Sequence, residues 1–340
     1  MAIGYACLTI GIENAGLSSC KLNNANEDNI RKIISYNLKA LEIIVKYNIN
    51  KGVKLFRISS DIIPFGSHPV NNLTWWDEFR SEIAEIGEKI INSGMRVSMH
   101  PGQYTVLNSP NLKVVDNAYN DLIYHSRFLD ALGVDSKNKI ILHIGGVYGD
   151  KKKSAEAFIL NYSNLPQSIK KRLVIENDDK NYTVEDVLNI SEVSGIPVVF
   201  DNLHNKLKPS QLNLTEVQWI DRCNQTWKKA DGIQKLHYSQ QKAGGLYGAH
   251  SDTIHIEEFL LFYNSLKDKD IDIMLEVKDK NLSAVKCVNS TNLNLRISAL
   301  EEEWANYKYL VLSRSSKIYN EIRELLKKKS ENIAIKFYTL

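Results

Sequence analysis

Histidine and carboxylate side chains in this 340-residue chain recur where short apolar runs stop. Val97 to Met99 has β character and ends on His100, followed at once by Pro101 and Gly102. Proline cannot continue a strand ladder and glycine permits a tight turn, so the imidazole is left at the strand's C-terminal rim with Gln103 and Tyr104 at the turn tip. The arrangement repeats with His143 before Gly145 and Gly146, with Glu176, with Asp201 and His204, with His237 and then His250 in its loop, and with Glu276. A lone strand histidine is usually a hydrogen-bonded core residue, and a lone glutamate usually a salt-bridge partner. Here five of eight histidines and three carboxylates fall at strand ends. So many acids in one place repel unless cations compensate them. Mixed His, Asp and Glu ligation suits Zn, Mn or Fe, and the ligand count suggests more than one ion. Two or three divalent ions ~3.5–4 Å apart, bridged by a carboxylate, are a device for phosphoryl chemistry, so phosphoester hydrolysis is the leading reaction class.

These side chains need a scaffold that brings all the strand ends to one side. Expected strands run over Ile3 to Ile10, Lys54 to Ser60, Val97 to Met99, Lys139 to Ile144, Arg172 to Glu176, Pro197 to Phe200, Lys235 to Tyr238 and Asp272 to Val277. Between them helical periodicity predicts helices over Asn26 to Asn48, Trp75 to Asn92, Leu112 to Leu132, Lys152 to Asn161, Val184 to Glu192, Leu214 to Lys228 and Ile256 to Leu266. Strict alternation implies a parallel sheet, and eight units close into a (β/α)8 TIM barrel whose functional groups sit at the C-terminal strand ends. Residues 1–297 are read as that domain and residues 298–340 as a helical, lysine-rich C-terminal extension.

Composition adds bounds. The chain is 43% hydrophobic and 24% charged, which suits a folded globular domain, and its net charge of +3 permits an anionic partner without arguing for one. Cys7, Cys20, Cys223 and Cys287 show no zinc spacing and read as thiols in a reducing compartment. No segment reads as a leader or a membrane span, so a cytoplasmic protein is expected, with no membrane and no obligate protein partner. Lys151 to Lys153 follow a rim loop and could meet phosphates; Lys170, Lys171 and Arg172 precede a strand and read as a solvated cluster on the opposite face. Lys327 to Lys329 suggest surface solubility.

The segments SMHPGQYTVLNSP, HIGGVYGDK, VIENDD, PVVFDNLH, KLHYS, GAHSD, IMLEVKDK and RISSDIIPFGSHP together resemble the UV damage endonucleases, the UvsE or UVDE family, from Tyr5 to about Lys280. The resemblance implies a barrel akin to endonuclease IV that nicks duplex DNA immediately 5′ of cyclobutane pyrimidine dimers and 6-4 photoproducts, leaving 3′-hydroxyl and 5′-phosphate ends. It implies manganese or similar ions, held by His100, His143, Glu176, Asp201, His204, His237, His250 and Glu276, with Glu176 as the bridging carboxylate. It matches Lys235 to a lysine carboxylated in the family and His68 to a histidine near the scissile phosphate. Gln103 and Tyr104 match residues that wedge into the duplex, and Tyr5 one that lines the lesion site. Gly145 and Gly146 are read as letting backbone approach the nucleic acid, with Lys151 nearby. A family member carries asparagine where Thr9 stands, which bears on lesion range, and a His-His pair where this chain has His204 and Asn205.

Two other activities use similar side chains. An apurinic endonuclease of the endonuclease IV type would lack photoproduct preference. A sugar isomerase or epimerase would need only one or two ions and would have no use for the Gln103–Tyr104 tip.

Overall fold

The computed structural model describes the backbone of residues 1–302, 309–312 and 334–337, and the side chains of residues 1–292. Eight parallel strands close into a barrel: β1 (Ile3–Ala6), β2 (Leu55–Ile58), β3 (Arg96–Met99), β4 (Lys139–His143), β5 (Leu173–Glu176), β6 (Val198–Asp201), β7 (Gln234–Tyr238) and β8 (Ile271–Leu275). Closure comes from β1 against β8, with Ile3 opposite Ile273 and Tyr5 opposite Leu275. The (β/α)8 expectation therefore holds. The strands are buried almost throughout, as parallel strands covered by helices must be. Their register also sets the site, because His143 lies opposite Glu176 across β4–β5 and Asp201 opposite His237 across β6–β7.

The helices are α1 (Glu27–Asn50), α2 (Trp75–Glu78), α3 (Arg80–Asn92), α4 (Leu112–Ala131), α5 (Lys151–Ser163), α6 (Gln167–Lys170), α7 (Val184–Ser194), α8 (Asn202–Leu207), α9 (Glu216–Asn224), α10 (Ile256–Ser265) and α11 (Asn281–Glu302). Local sequence explains their ends. Asn26 caps α1 by accepting from Asn29 N at 3.0 Å, and Ile30, Ile34, Leu38, Leu41 and Val45 recur on its buried face. Thr183 with Asp186 and Thr215 with Gln218 form reciprocal capping boxes that start α7 and α9. Gly195, at φ 74°, stops α7 in the left-handed conformation that side chains avoid.

Three expectations are revised. The single helix over Trp75 to Asn92 is two, because Phe79 buries its ring and its backbone leaves the helical region at φ −109°, ψ 24°. Arg172 is not part of a solvated cluster: it is buried and donates to Asp130 Oδ1 at 2.6 Å and to the carbonyls of Val134, Asp135 and Asn138. The tail is not helical throughout. Its described parts are the end of α11 and two parallel strands, β9 (Tyr309–Leu312) and β10 (Ala334–Phe337), while Lys327 to Lys329 lie outside the described residues. Compact units comprise residues 1–286 and 287–340, so the division falls inside α11 and ahead of residue 298. Among the described residues no helix is long and apolar enough to cross a membrane.

Candidate metal centre

Seven of the rim side chains converge. Three sets of donors each lie within 4.8 Å of one another: His100, His143 and Glu176; Glu176, Asp201 and His204; Glu176, His237 and Glu276. Glu176 belongs to all three, as a bridging carboxylate must. It ends β5, is 1% exposed, and its Oε2 faces His100 Nε2 at 3.2 Å while its Oε1 faces His237 Nδ1 at 2.6 Å.

The backbone fixes how the imidazoles present themselves. His100 Nδ1 donates to the Pro101 carbonyl at 3.0 Å and His204 Nδ1 to the Asn177 carbonyl at 2.9 Å, which fixes the orientation of each ring and, in the neutral form, its tautomer. His204 is held there because Asp201 is both the end of β6 and the cap of α8, its Oδ1 accepting from His204 N at 2.7 Å. In neutral His100, therefore, the Nε2 lone pair confronts a carboxylate oxygen. Two acceptors 3.2 Å apart repel unless a proton or a metal ion lies between them.

Charge within the cluster is far from its ordinary state. Burial opposes the Glu176 anion, but His237 and His143 outweigh it and hold the carboxyl well below the usual range. Burial likewise opposes the Glu276 anion, and Arg57 and His237 outweigh it. Asp201 is pushed up to about 8 by burial and by the Glu176 and Glu276 charges, against the pull of His204. Burial works against the His204 cation, yet Asp201, Glu176 and Glu276 together hold it at about 9. His143 is pushed down to about 4 by burial. The protein alone thus carries protons in a pocket built of anions.

Divalent ions fit these donors. Asp201 Oδ2 and His143 Nδ1 are buried with no hydrogen-bond partner, and three carboxylates share the space with Arg57. An orphaned carboxylate oxygen among imidazoles is what a cation resolves, and the nitrogen and oxygen donors suit Zn, Mn or Fe. His250 stands apart from the three sets, half-buried in the β7–α10 loop and bridged to Gln241.

The remaining candidates sit as follows. Lys235, two residues before His237 on β7, is fully buried with no partner for Nζ, and burial and then Arg96 push its pKa well down. Exposed His68 accepts from Val70 N at Nδ1, 3.1 Å away. Gln103 and Tyr104 are exposed, the latter by 71%, with the tyrosine ring folded over Gly102. Tyr5 does not reach the surface: it is 0% exposed, and its hydroxyl lies 2.7 Å from both Thr9 Oγ1 and Asn48 Oδ1. Thr9 is itself buried, so the pair buttresses the β1 loop from below. At Gly145 and Gly146 a Cβ would collide with Asn108 and Tyr148 respectively, so their lack of a side chain serves the chain's own packing. Lys151 pairs with Asp186 instead of projecting freely.

Sequence reasoning missed Arg57 and His125. Arg57 lies on β2, 7% exposed, with Nη2 at 2.6 Å from Glu276 Oε1 and 2.8 Å from His237 Nε2. Nothing in a four-residue strand distinguishes an inward arginine from one at the surface, apart from its placement between Phe56 and Ile58. His125 faces inward on α4, four residues after Asp121, a spacing that puts both on one helix face.

Residues 1–305 match the family described as UV-endonuclease UvdE. The chain is 46% identical over 332 residues to a UV DNA damage endonuclease of Clostridium perfringens, covering 96% of this chain and 80% of that one. It is 34% identical over 265 residues to a UV DNA damage endonuclease of Bacillus velezensis, covering 77% and 82%. The crystal structure of SacUVDE superposes with a TM-score of 0.82 at 39% identity, covering 86% of this chain and 99% of that one. L-ribulose 3-epimerase, at 14% identity and a TM-score of 0.52 with 91% and 99% covered, shares the fold alone.

Proposed function

The chain belongs to the UV-endonuclease UvdE family and is an endonuclease; from this we propose that it nicks damaged duplex DNA immediately 5′ of cyclobutane pyrimidine dimers and 6-4 photoproducts, leaving 3′-hydroxyl and 5′-phosphate ends. The carrying observation is that Glu176 is common to three donor sets at one barrel rim. Glu176 would be the ligand common to a cluster of two or three ions, with manganese as the proposed metal. Asp201, Glu276, His100, His143, His204 and His237 complete the sets, and His250 is carried as a further ligand on the resemblance alone. When bound, divalent ions lower the pKa of water and neutralise the phosphate oxygens in hydrolysis.

The protein's own groups do the rest. The Pro101 and Asn177 carbonyls engage Nδ1 of His100 and of His204, which orients the two rings and leaves Nε2 of each as the atom that would hold an ion. Burial, with Arg96, pushes the Lys235 pKa well down and so favours the neutral amine, the form that can add to carbon dioxide and, on losing a proton to solvent, become a carbamate anion. His68 is the proposed contact to the scissile phosphate. A crosslinked dimer pairs and stacks poorly, so extruding it costs less than extruding intact bases, and Gln103 and Tyr104 are proposed to fill the gap. Tyr5 and Thr9 act indirectly, by supporting the β1 loop.

The test is cleavage of an end-labelled duplex carrying one cyclobutane dimer, with manganese or EDTA, beside undamaged and abasic duplexes. A manganese-dependent cut just 5′ of the dimer supports the proposal. Abasic cleavage alone would move the assignment to the apurinic class.

A further inference from the structure

Helix α4 carries a patch of buried polar side chains that the metal chemistry does not use. Asp121 is 3% exposed, and its two carboxylate oxygens are taken by two different loops. Ser67 Oγ donates to Oδ1 at 2.9 Å, and Thr105 Oγ1 donates to Oδ2 at 2.6 Å. Ser67 immediately precedes His68, and Thr105 immediately follows Tyr104. One turn on, His125 Nδ1 donates to the Asp121 carbonyl at 2.6 Å and Nε2 lies 2.8 Å from Ser60 Oγ. That hydroxyl donates to the His100 carbonyl at 2.9 Å, so Ser60 links the α4 histidine to the backbone of a candidate ligand.

Tyr124 completes the footing. Its hydroxyl donates to the Ser60 carbonyl at 2.7 Å, and its ring lies so close to Gly66 that a Cβ there would stand 2.5 Å from Cε2. Any side chain at position 66 would lift the His68 loop off the helix. The loop carrying His68 and the tip carrying Tyr104 therefore rest on one helix face and meet on one planar group. An apolar contact would join them without the cost of burying a carboxylate. What the carboxylate adds is direction, because two hydroxyls bound to its two oxygens fix the spacing between the loops.

We propose that Asp121 is a positioning residue that holds His68 and Tyr104 at a fixed separation, so that the lesion and the scissile phosphate are engaged in one geometry. This rests on the functional reading above, in which both loops meet damaged DNA. The partner recognised is thus a duplex whose distortion and cleavage point are a set distance apart.

Asp121→Ala would leave two buried hydroxyls unpaired and cost folding, so the hydroxyl variants carry the test. Full-length, manganese-loaded Ser67→Ala, Thr105→Val and Thr105→Ser are compared with the wild type. The readouts are the ratio of affinities for dimer and undamaged duplex, measured by fluorescence anisotropy, and KM and kcat on the dimer duplex. Ser67→Ala and Thr105→Val are each expected to lower the affinity ratio about ten-fold, the scale of one hydrogen bond to a charged group. KM should rise more than kcat falls, and manganese affinity should stay at the wild-type value. Thr105→Ser keeps the hydroxyl and should keep the ratio. The double variant should fall short of the product of the singles, since both act through one carboxylate. Wild-type ratios in both Ser67→Ala and Thr105→Val, or equal losses in Thr105→Ser and Thr105→Val, overturn the proposal. A wild-type protein that binds and cuts no dimer duplex overturns the functional reading itself.

Discussion

Arg57 Nη2 sits between two candidate metal ligands, 2.6 Å from Glu276 Oε1 and 2.8 Å from His237 Nε2. Because guanidinium only donates, His237 Nε2 accepts, and Nδ1 must carry the proton that it directs at Glu176 Oε1, 2.6 Å away. One arginine on β2 therefore sets the tautomer of a histidine on β7 and offsets a carboxylate at the end of β8. It is a permanent cation that the protein provides for itself.

Removing that cation should hurt most when no metal is present. Arg57→Met leaves Glu276 and Glu176 without their nearest fixed positive charge, and breaking a buried ion pair on one side costs about 3–5 kcal/mol. Manganese replaces some of the lost positive charge. The expected result is a large fall in Tm in EDTA and a smaller one in saturating manganese. Equal falls in both conditions would show that Arg57 acts through packing alone.

Metal loading should release protons. The free protein holds a proton on His204, raised to about 9 although burial opposes the cation, and on Asp201, raised to about 8 by burial and its acidic neighbours. Both groups are protonated at pH 7 in the free state and must be bare to ligate. Protons therefore compete with metal, and affinity should rise as pH increases from 7 towards 9 and fall as pH is lowered. Calorimetric titration of manganese in buffers of different ionisation enthalpy measures the release directly. The same binding enthalpy in every buffer would contradict it.

Much of this was legible in the sequence because strand ends are punctuated locally. His100-Pro101-Gly102 and His143 before Gly145 announce where β3 and β4 stop, and the barrel does the rest by bringing every stop to one rim. Contacts that depend on closure across the barrel were not legible. Arg57 and His237 are 180 positions apart, and Asp121 meets Ser67 from 54 positions away. The burial of Tyr5 was not legible for a related reason: a residue type that stacks on bases is equally suited to filling a barrel, and its ring packs against Phe56 at 5.1 Å. Gly145 and Gly146 could be read only as places for close backbone approach, whereas the contacts a Cβ would make there with Asn108 and Tyr148 depend on how the loops pack.

Glu176→Gln preserves shape and removes the charge common to all three donor sets. Loss of an outer partner alone typically costs ten- to a hundredfold in metal affinity, so losing the shared ligand should exceed about a hundredfold and abolish cleavage. Inductively coupled plasma analysis of the dialysed variant should find little metal. Full metal occupancy with cleavage intact would remove Glu176 from the centre.

Lys235 offers a test independent of cleavage. A buried, unpartnered amine destabilises a core, so Lys235→Met, similar in length and apolar, should leave Tm unchanged or raise it. If the wild-type amine has added carbon dioxide, protein equilibrated with 13C-bicarbonate will show a carbamate carbonyl resonance that Lys235→Met lacks. Identical spectra would mean that the lysine stays a neutral amine and supplies no ligand.

Tyr104→Ala separates recognition from chemistry. The ring is 71% exposed at the tip of the β3 loop and folds over Gly102, where an added Cβ would stand 2.4 Å from its Cε1. No donor set includes it, so manganese affinity should match the wild type. Stacking of an aromatic side chain on a base is worth about 1–3 kcal/mol by alanine substitution, so affinity for dimer duplex should fall roughly five- to a hundredfold. Affinity for undamaged duplex, in which no base is displaced, should change far less. Phosphate contacts dominate that weaker binding, so raising salt should weaken both complexes while the lesion preference of the wild type persists. If Tyr104→Ala lowers both affinities in proportion, the ring contributes only general contact, and the lesion must be sensed by another part of the rim.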